Sequence, residues 1–159
     1  MNAGLCYKVS RIEKHAFPLS SYIDLKSFKI YMCDVGLLRK KAKLDAFIIL
    51  SNDDNMYKEF KGAIAENFVL LELLSINDNL PYYWTSGNSA KLDFVWQLKD
   101  KILPIEVKSG KNIYAKGLSV YIDKYNPKLS IKISKRNLLK QNNIINIPLY
   151  LIWNIENII

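Results

Sequence analysis

The chain has 159 residues, a length that suits one domain or one domain with an attached segment. Half of the residues are hydrophobic and 12% are aromatic, which excludes a disordered chain, and no apolar run reaches the roughly 18 residues that a membrane-spanning helix needs. The formal net charge of +8 favours polyanionic partners, although a solvated lysine-rich surface explains the charge equally well. The N-terminal residues lack the apolar core of a signal peptide, so we expect a cytoplasmic protein with no membrane partner.

Cysteine and histidine are scarce in this sequence. Cys6 and Cys33 are the only cysteines, and their spacing gives neither a zinc site nor a disulfide framework. His15 is the only histidine, which excludes a mechanism that needs a pair of imidazoles. The cysteines are therefore interpreted as small buried apolar residues in a reducing compartment.

The first 50 residues have the pattern of a β-hairpin. The stretch "AGLCYKVSRI" predicts a strand over Leu5 to Arg11, and "FKIYMCDVGLL" predicts a second strand that passes into a turn at Asp34-Val35-Gly36. A hairpin alone is marginally stable in water, so it must pack on another part of the molecule. Because residues 51–56 are polar and predict a linker, we divide the chain into a connecting hairpin segment, 1–50, and a domain, 57–159.

The predicted domain alternates helices with strands. Apolar residues at three- and four-residue steps predict a helix from Tyr57 to Ile76. The later elements are, in order, the strands "YYWTS", "KLDFVWQL" and "ILPIEVKSG", the helix "YAKGLSVYIDKYNP", and the strands "LSIKISK" and "IPLYLIW". Hairpin-like strands combined with a crossover helix predict an α/β layered domain with a mixed sheet.

The strand "ILPIEVK" separates polar from apolar side chains. Because side chains alternate between the faces of a strand, Leu103, Ile105 and Val107 point into the core. Glu106 and Lys108 then share the other face. Taken alone, this carboxylate and amine could be an ordinary exposed strand pair.

The turn before this strand decides which residue faces Glu106. A two-residue loop of Lys99-Asp100, with Leu98 opposite Lys101, places Asp93 directly across from Glu106. A loop longer by two residues would bring the strand's lysine opposite Asp93 instead, and a three-residue loop would turn Asp93 to the wrong face. On simple alternation Asp93 shares its face with Val95, whereas Leu92, Phe94 and Trp96 share the opposite face.

Two carboxylates that meet across neighbouring strands repel each other, and a cation between them relieves the repulsion. Oxygen ligands of this kind suit Mg²⁺ or Mn²⁺. Such an ion polarises a phosphate and activates water, and Lys108 would steady the charge that develops. The alternative is that Asp93 is a surface residue near a turn, with no ion at all.

The net positive charge is concentrated in one segment. Between Lys99 and Lys140 there are eleven basic residues and three acidic ones. The candidates for phosphate contacts, which position a nucleic acid without reading its sequence, are Lys111, Lys116, Lys132, Lys135 and Arg136. The aromatic run Tyr82-Tyr83-Trp84 offers either stacking surfaces or core residues.

Several blocks of the sequence occur together in one known group of proteins. The blocks "FKGAIAENFVLLELL", "YYWTS", "LDFVW" and "PIEVKSGKN", preceded by "AGLCYKVSRIEK" and "FKIYMCDVGLL", resemble the PD-(D/E)XK nuclease-like superfamily. The match is closest to the uncharacterised C-terminal domain of prokaryotic AAA+-type ATPases. This resemblance implies a restriction-endonuclease-like mixed sheet flanked by helices, with an N-terminal β-hairpin segment that follows a winged-helix-like region.

The same resemblance assigns roles to four residues. Asp93, Glu106 and Lys108 match the acid, acid and lysine of the superfamily, and Glu66 matches an additional acidic residue. These matches imply a Mg²⁺ or Mn²⁺ site formed by the three carboxylates, acting on nucleic acid phosphodiesters. Lys91 departs from the pattern, because relatives carry an acidic residue there, and its charge would compete with the ion.

The resemblance also leaves other functions open. No GxxxxGK[ST] phosphate loop occurs in these residues, so ATP binding would belong to an ATPase module elsewhere in a longer parent protein. A catalytically inactive module that binds nucleic acid or protein, or a structural appendage used in oligomerisation, would keep the same fold.

Overall fold

The computed structural model describes residues 4–44, 47, 58–87, 90–110 and 114–159. Within these ranges the chain forms eight strands, four α-helices and two short 3₁₀ segments. In chain order they are β1 (Cys6–Ile12), a 3₁₀ segment (Leu19–Tyr22), β2 (Ile23–Met32), α1 (Val35–Lys41), α2 (Lys58–Ile76), β3 (Tyr82–Thr85), β4 (Lys91–Leu98), β5 (Lys101–Lys108), α3 (Lys116–Tyr125), β6 (Ser130–Ser134), β7 (Leu139–Gln141), β8 (Ile144–Pro148), a second 3₁₀ segment (Leu149–Asn154) and α4 (Ile155–Ile158).

All eight strands belong to one mixed sheet, in the order β2-β1-β3-β4-β5-β6-β8-β7. The hairpin joins this sheet because β1 pairs in parallel with β3. Helix α3 connects β5 to β6, which are parallel neighbours, as a crossover helix must. The predicted mixed α/β architecture with an N-terminal hairpin is therefore confirmed. The predicted linker lies outside the described residues, so the division into two segments stays a prediction.

Two helices cover opposite faces of the sheet and bury its side chains. On one face, α2 buries Val69, Leu70 and Leu73 against strand residues such as Phe94 and Ile105. The apolar residues whose spacing predicted the helix, such as Ile64 and Leu71, are only partly buried, so the core stripe lies on a neighbouring face of the helix. The helix is confirmed as far as Ile76, whereas its predicted first residue, Tyr57, lies outside the described part of the chain.

The second helix, α3, lies on the other face. It buries Leu118 and Tyr121 against Trp84 and Leu92. The helix ends at Tyr125. The next residue, Asn126, caps it with a left-handed backbone conformation (φ of 43°), and its amide donates to the Ile122 carbonyl. The sheet is thus a central layer with an apolar core on each side.

Two local predictions were wrong. The residues Asp34-Val35-Gly36 do not form a turn, because the Asp34 side chain accepts a hydrogen bond of 2.7 Å from the Leu37 amide and caps helix α1. The last predicted strand, "IPLYLIW", is also misplaced, because β8 begins earlier, at Ile144. Strand β8 ends at Pro148 and the chain continues in a 3₁₀ segment, while β7 was not predicted at all.

Candidate functional site

The turn between β4 and β5 sets the register of the site. Leu98 pairs with Lys101 around the two-residue turn, and the ladder continues to the pair Phe94–Ile105. This is the register that the sequence predicts for a loop of Lys99-Asp100, and it is confirmed. The next step along the same register is Asp93 opposite Glu106.

Strand β4 pairs with β3 on its other edge, and this pairing is irregular near the first residues of β4. Its pairing with β3 advances by two residues, from Tyr82 to Trp84, while β4 advances by three, from Val95 to Leu92. The extra residue is a β-bulge, which redirects side chains at the point where it occurs. The bulge therefore falls between Leu92 and Val95, beside the carboxylate of Asp93.

The bulge overturns the simple alternation predicted for this strand. Leu92 packs in the core under α3, whereas Phe94 packs in the core under α2, so the two do not share a face. Asp93 is buried, and its Oδ2 accepts a hydrogen bond of 2.8 Å from the Val107 amide. The Asp93 carboxylate thus accepts the hydrogen bond that a backbone carbonyl of a neighbouring strand would otherwise accept from the Val107 amide.

Glu106 is buried, and only one of its oxygens has a partner. Lys108 Nζ lies 2.7 Å from Glu106 Oε1, so these residues share a face as predicted. Glu106 Oε2 is buried without a hydrogen-bond partner, and the residue is only 3% exposed. Burial raises the pKa of Glu106, although the charge and hydrogen bond of Lys108 act against this effect. The alternative of an exposed strand pair is therefore wrong.

The first turn of α3 closes over Glu106. A Cβ atom on Gly117 would lie 2.9 Å from Glu106 Oε2 and only 1.9 Å from the Lys91 carbonyl oxygen. Only glycine allows the helix to approach the strand this closely. The position of the buried carboxylate is therefore fixed by both the sheet and the helix.

Glu66 reaches the same end of the sheet from α2. Its Oε2 accepts hydrogen bonds from Lys29 Nζ at 3.2 Å and from the Tyr31 hydroxyl at 3.1 Å. Burial alone would raise the pKa of Glu66, but the positive charges of Lys29 and Lys91 hold this pKa below its ordinary value. Both hydrogen-bond donors come from β2 of the N-terminal hairpin.

Asp93 connects these groups. Its Oδ1 lies 3.9 Å from Lys29 Nζ, and burial together with the negative charges of Glu66 and Glu106 raises the pKa of Asp93 to about 7. The structure therefore brings Glu66, Asp93, Glu106 and Lys108 to one end of the sheet. We call these four residues the acid site.

The carboxylates fit a divalent ion in part. Among the described residues, no three acidic, histidine or cysteine side chains are already arranged to hold a metal ion. Magnesium, however, is often held by only one or two carboxylates together with water. Asp93 and Glu106 would form that pair, since Glu106 has a buried oxygen without a partner. Glu66 is already bonded to Lys29 and Tyr31, so its role as a metal ligand stays a prediction.

One of the predicted phosphate-binding residues, Lys132, lies next to the acid site, and a second, Arg136, is close enough to Lys132 to affect its pKa. Lys132 is the neighbour of Glu106 in the parallel β5–β6 pair. Burial lowers the pKa of Lys132, and the nearby charges of Arg136 and Lys108 lower it further. Lys132 therefore lies within electrostatic reach of Lys108, Arg136 and Glu106.

The other predicted basic residues are placed differently. Lys116 is exposed at the start of α3, and Lys111 lies outside the described residues. Lys135 lines a separate, mostly apolar hollow between α2 and the end of β5. Tyr83 and Trp84 are buried in the two cores, so the prediction of core residues is confirmed for them.

Sequence reasoning missed three residues that support the site. Lys29 and Tyr31 contact Glu66, and Asn67 bonds the edge of β2 through its side chain. Asn67 Oδ1 accepts from the Met32 amide at 2.8 Å, and Asn67 Nδ2 donates to the Met32 carbonyl at 2.9 Å. Alternation along β2 puts Lys29 and Tyr31 on one face, but nothing in the sequence indicates that this face meets α2.

A family model described as "Domain of unknown function (DUF4143)" matches residues 61–152, which is more than half of the chain. The chain belongs to the DUF4143 family. All four residues of the acid site lie within the DUF4143 match, whereas Lys29 and Tyr31 lie outside it. No curated protein and no solved structure matches the chain. In the described part of this DUF4143 protein, no helix is long and apolar enough to cross a membrane.

Proposed function

We propose that this DUF4143 domain is a Mg²⁺- or Mn²⁺-dependent nuclease that acts on nucleic acid phosphodiesters, as the C-terminal domain of an AAA+-type ATPase. The observation that carries the proposal is the buried Glu106 oxygen without a partner. The register of the two strands places a second buried carboxylate, Asp93, opposite Glu106. Buried polar groups in native proteins are normally hydrogen-bonded, and exceptions often mark a ligand or an ion. The acid–acid–lysine resemblance supports the same chemistry.

The residues of the acid site have separate tasks in this proposal. Asp93 and Glu106 would hold the ion, which supplies positive charge against a phosphate and lowers the pKa of a bound water. Lys108 is the most exposed of the three, with a side chain 26% exposed. Its ammonium group is placed to contact the phosphate or the attacking water. The Val107 amide keeps Asp93 oriented through its 2.8 Å hydrogen bond.

The surroundings of the acid site suit a nucleic acid. An open groove of about 590 Å³ adjoins Lys132 on the same side of the sheet as α3. Its lining is mainly apolar and includes Tyr114, Leu118, Ile122 and Ile144. Bases stack on such apolar and aromatic surfaces while lysine and arginine contact phosphates, so the groove supports binding of an unpaired base beside the acid site.

The nuclease proposal is tested with plasmid, single-stranded and branched DNA, and RNA, each incubated with Mg²⁺ or Mn²⁺. We expect metal-dependent cleavage that is lost to the background level in Asp93→Asn, Glu106→Gln and Lys108→Met. Lys99→Met is a matched control, because Lys99 is an exposed lysine paired with Glu156. It lies in the β4–β5 turn, at the opposite end of these two strands from Asp93 and Glu106. Cleavage that survives in Glu106→Gln, or its absence from the wild type on every substrate, would contradict the proposal.

A second candidate function is binding of nucleic acid without cleavage. The charges of Lys29 and Lys91 near the carboxylates favour it, because they neutralise part of the acid site without a metal ion. In this case the affinity for DNA would be the same with EDTA as with Mg²⁺. The slope of log K against log salt would become shallower by about one in Lys132→Ala and in Arg136→Ala, because each variant removes one cation that binds a phosphate. A binding-only domain gives this slope and no cleavage product.

A further inference from the structure

Lys29 occupies an unusual position for a lysine of an edge strand. It belongs to β2, yet its side chain is only 15% exposed. Its ammonium nitrogen lies above three aromatic rings, 5.2 Å from the centre of Tyr83 and 5.8 Å from the centres of Tyr31 and Phe94. The lysine therefore points inward over the core and not outward into water.

The inward position of Lys29 brings it to two carboxylates of the acid site. Its nitrogen is 3.2 Å from Glu66 Oε2 and 3.9 Å from Asp93 Oδ1. A lysine is rarely buried unless it is paired, and here both partners are carboxylates that the family resemblance assigns to a metal ion. The ammonium group and a divalent ion would thus use the negative charge of the same residue, Asp93.

We propose that Lys29 is a built-in counter-ion that competes with the divalent ion for the acid site, so that metal binding requires the Lys29 ammonium to leave Asp93. The inference rests on the proposed ion pair of Asp93 and Glu106. It adds a specificity-determining residue from the hairpin, outside the DUF4143 match. The hairpin then controls how strongly the acid site holds a metal ion.

The position of β2 makes this control specific. The two hydrogen bonds between Asn67 and Met32, one donated by each residue, attach the strand to α2 beside Glu66, so the backbone of Lys29 is held close to the carboxylates. Release of Lys29 from Asp93 then needs only rotation of its flexible side chain towards solvent, away from the ion.

The first experiment measures Mn²⁺ binding by titration calorimetry on the full chain, with Lys29→Met compared with the wild type. Removal of a positive charge this close to the ion should raise the Mn²⁺ affinity at least about tenfold. Without metal, Lys29→Met should melt at a lower temperature, and Mn²⁺ should raise its melting temperature more than that of the wild type. Lys8→Met is the matched control, because Lys8 lies over the Phe28 ring on the same hairpin, away from the acid site.

Equal Mn²⁺ affinity in the wild type and Lys29→Met, or no binding in either, would overturn the inference. Binding in Lys29→Met alone would support it even if the wild type cleaves nothing, which separates this test from that of the nuclease proposal. Conversely, cleavage by the wild type together with unchanged affinity in the variant would leave the nuclease proposal standing and remove this one.

A second measurement uses the wild-type protein, in case Lys29→Met does not fold. An amine-reactive label, read by mass spectrometry, reports how accessible Lys29 is with and without Mn²⁺. Displacement by the ion should increase labelling of Lys29 several-fold and leave the exposed Lys99 unchanged. Metal binding without any change in Lys29 labelling would contradict the proposal.

Discussion

Two buried polar side chains in the same sheet, Asn146 on β8 and Glu106 on β5, differ in how completely they are hydrogen-bonded. In the β6–β8 region every polar atom of Asn146 is used: its Oδ1 accepts from the Ser134 hydroxyl at 2.7 Å. Its Nδ2 donates to the carbonyls of Arg136 and Asn137, at 3.2 and 3.0 Å. On β5, which β6 separates from β8, Glu106 keeps a buried oxygen without a partner.

This is the difference expected between a polar group that stabilises the fold and one that would bind an ion. A buried polar network in which each member has its partners rigidifies the fold, whereas an unpaired buried group costs stability and persists for another reason. Asn146 therefore fixes the loop from β6 to β7. The unpaired oxygen of Glu106 lowers the stability of the fold, and we propose that an ion binds there to offset this loss.

The largest expected effect comes from a substitution in α3, the helix that packs over Glu106. Gly117→Ala would place a Cβ atom 1.9 Å from the Lys91 carbonyl oxygen, so helix α3 must move away from the sheet. Because backbone must shift, we expect a loss of about 3 kcal/mol in the free energy of unfolding. Urea denaturation followed by circular dichroism measures this loss.

Gly110→Ala is the control for this prediction. A Cβ atom on Gly110 would meet no other atom within 4 Å, so its free energy of unfolding should change little. Cleavage or metal binding in Gly117→Ala should fall as well, because the helix that moves also positions Glu106. A Gly117→Ala protein as stable as the wild type would mean that α3 does not pack against the strand as described.

The second prediction compares the two polar groups directly. Asn146→Ala leaves the Ser134 hydroxyl and two carbonyl groups without their partner, and we expect a loss of about 2 kcal/mol. Glu106→Gln keeps the shape of the side chain and removes a charge that burial disfavours. Its free energy of unfolding should change by less than about 1 kcal/mol in EDTA.

Denaturation curves of both variants in EDTA decide between the two roles. Equal losses in Asn146→Ala and Glu106→Gln would mean that Glu106 is as structural as Asn146. The contrast should also extend to metal: Mn²⁺ should stabilise the Asn146→Ala protein as it does the wild type, but not the Glu106→Gln protein.

The part of the site that local geometry controls could be predicted from the sequence. The sequence offered a two-residue turn of Lys99-Asp100 as one of three loop lengths, and this turn, which the structure has, sets the register that places Asp93 opposite Glu106. The bulge beside Asp93 could not be predicted, because it depends on how β4 pairs with β3 across a separate turn.

The contacts with the hairpin are harder to predict. Lys29 and Glu66 are 37 residues apart, and the chain between them includes residues outside the described part. A lysine between Phe28 and Ile30 on an edge strand predicts a solvated side chain, and only the packing of α2 against β2 turns it inward. Tertiary packing, which one sequence does not specify by pattern, therefore decides the charge balance of the acid site.

The smallest expected effect is on the pH dependence of the free energy of unfolding, to which Asp93 and Asp24 should contribute in opposite directions. The pKa of Asp93 is raised from 3.8 to about 7 in the folded protein, so the folded state holds a proton there that the unfolded state has released. The free energy of unfolding should therefore fall as the pH rises from 3.8 to about 7. Asp93→Asn should flatten this part of the profile, since the amide still accepts the Val107 hydrogen bond.

Asp24 provides the contrast that makes the measurement specific. Hydrogen bonds from the Ser27 side chain and the Lys26 amide, together with the Arg11 guanidinium, lower the pKa of Asp24 to about 2. Its contribution is present above 3.8 and is lost as the pH falls towards about 2, so Asp24→Asn should flatten only the acidic end of the profile. Urea midpoints measured across this range in EDTA, for the wild type and both variants, separate the two effects. If Asp93→Asn changed only the acidic end, as Asp24→Asn should, the Asp93 carboxylate would be stabilised by its neighbours, and the excess of negative charge proposed to hold the ion would not exist.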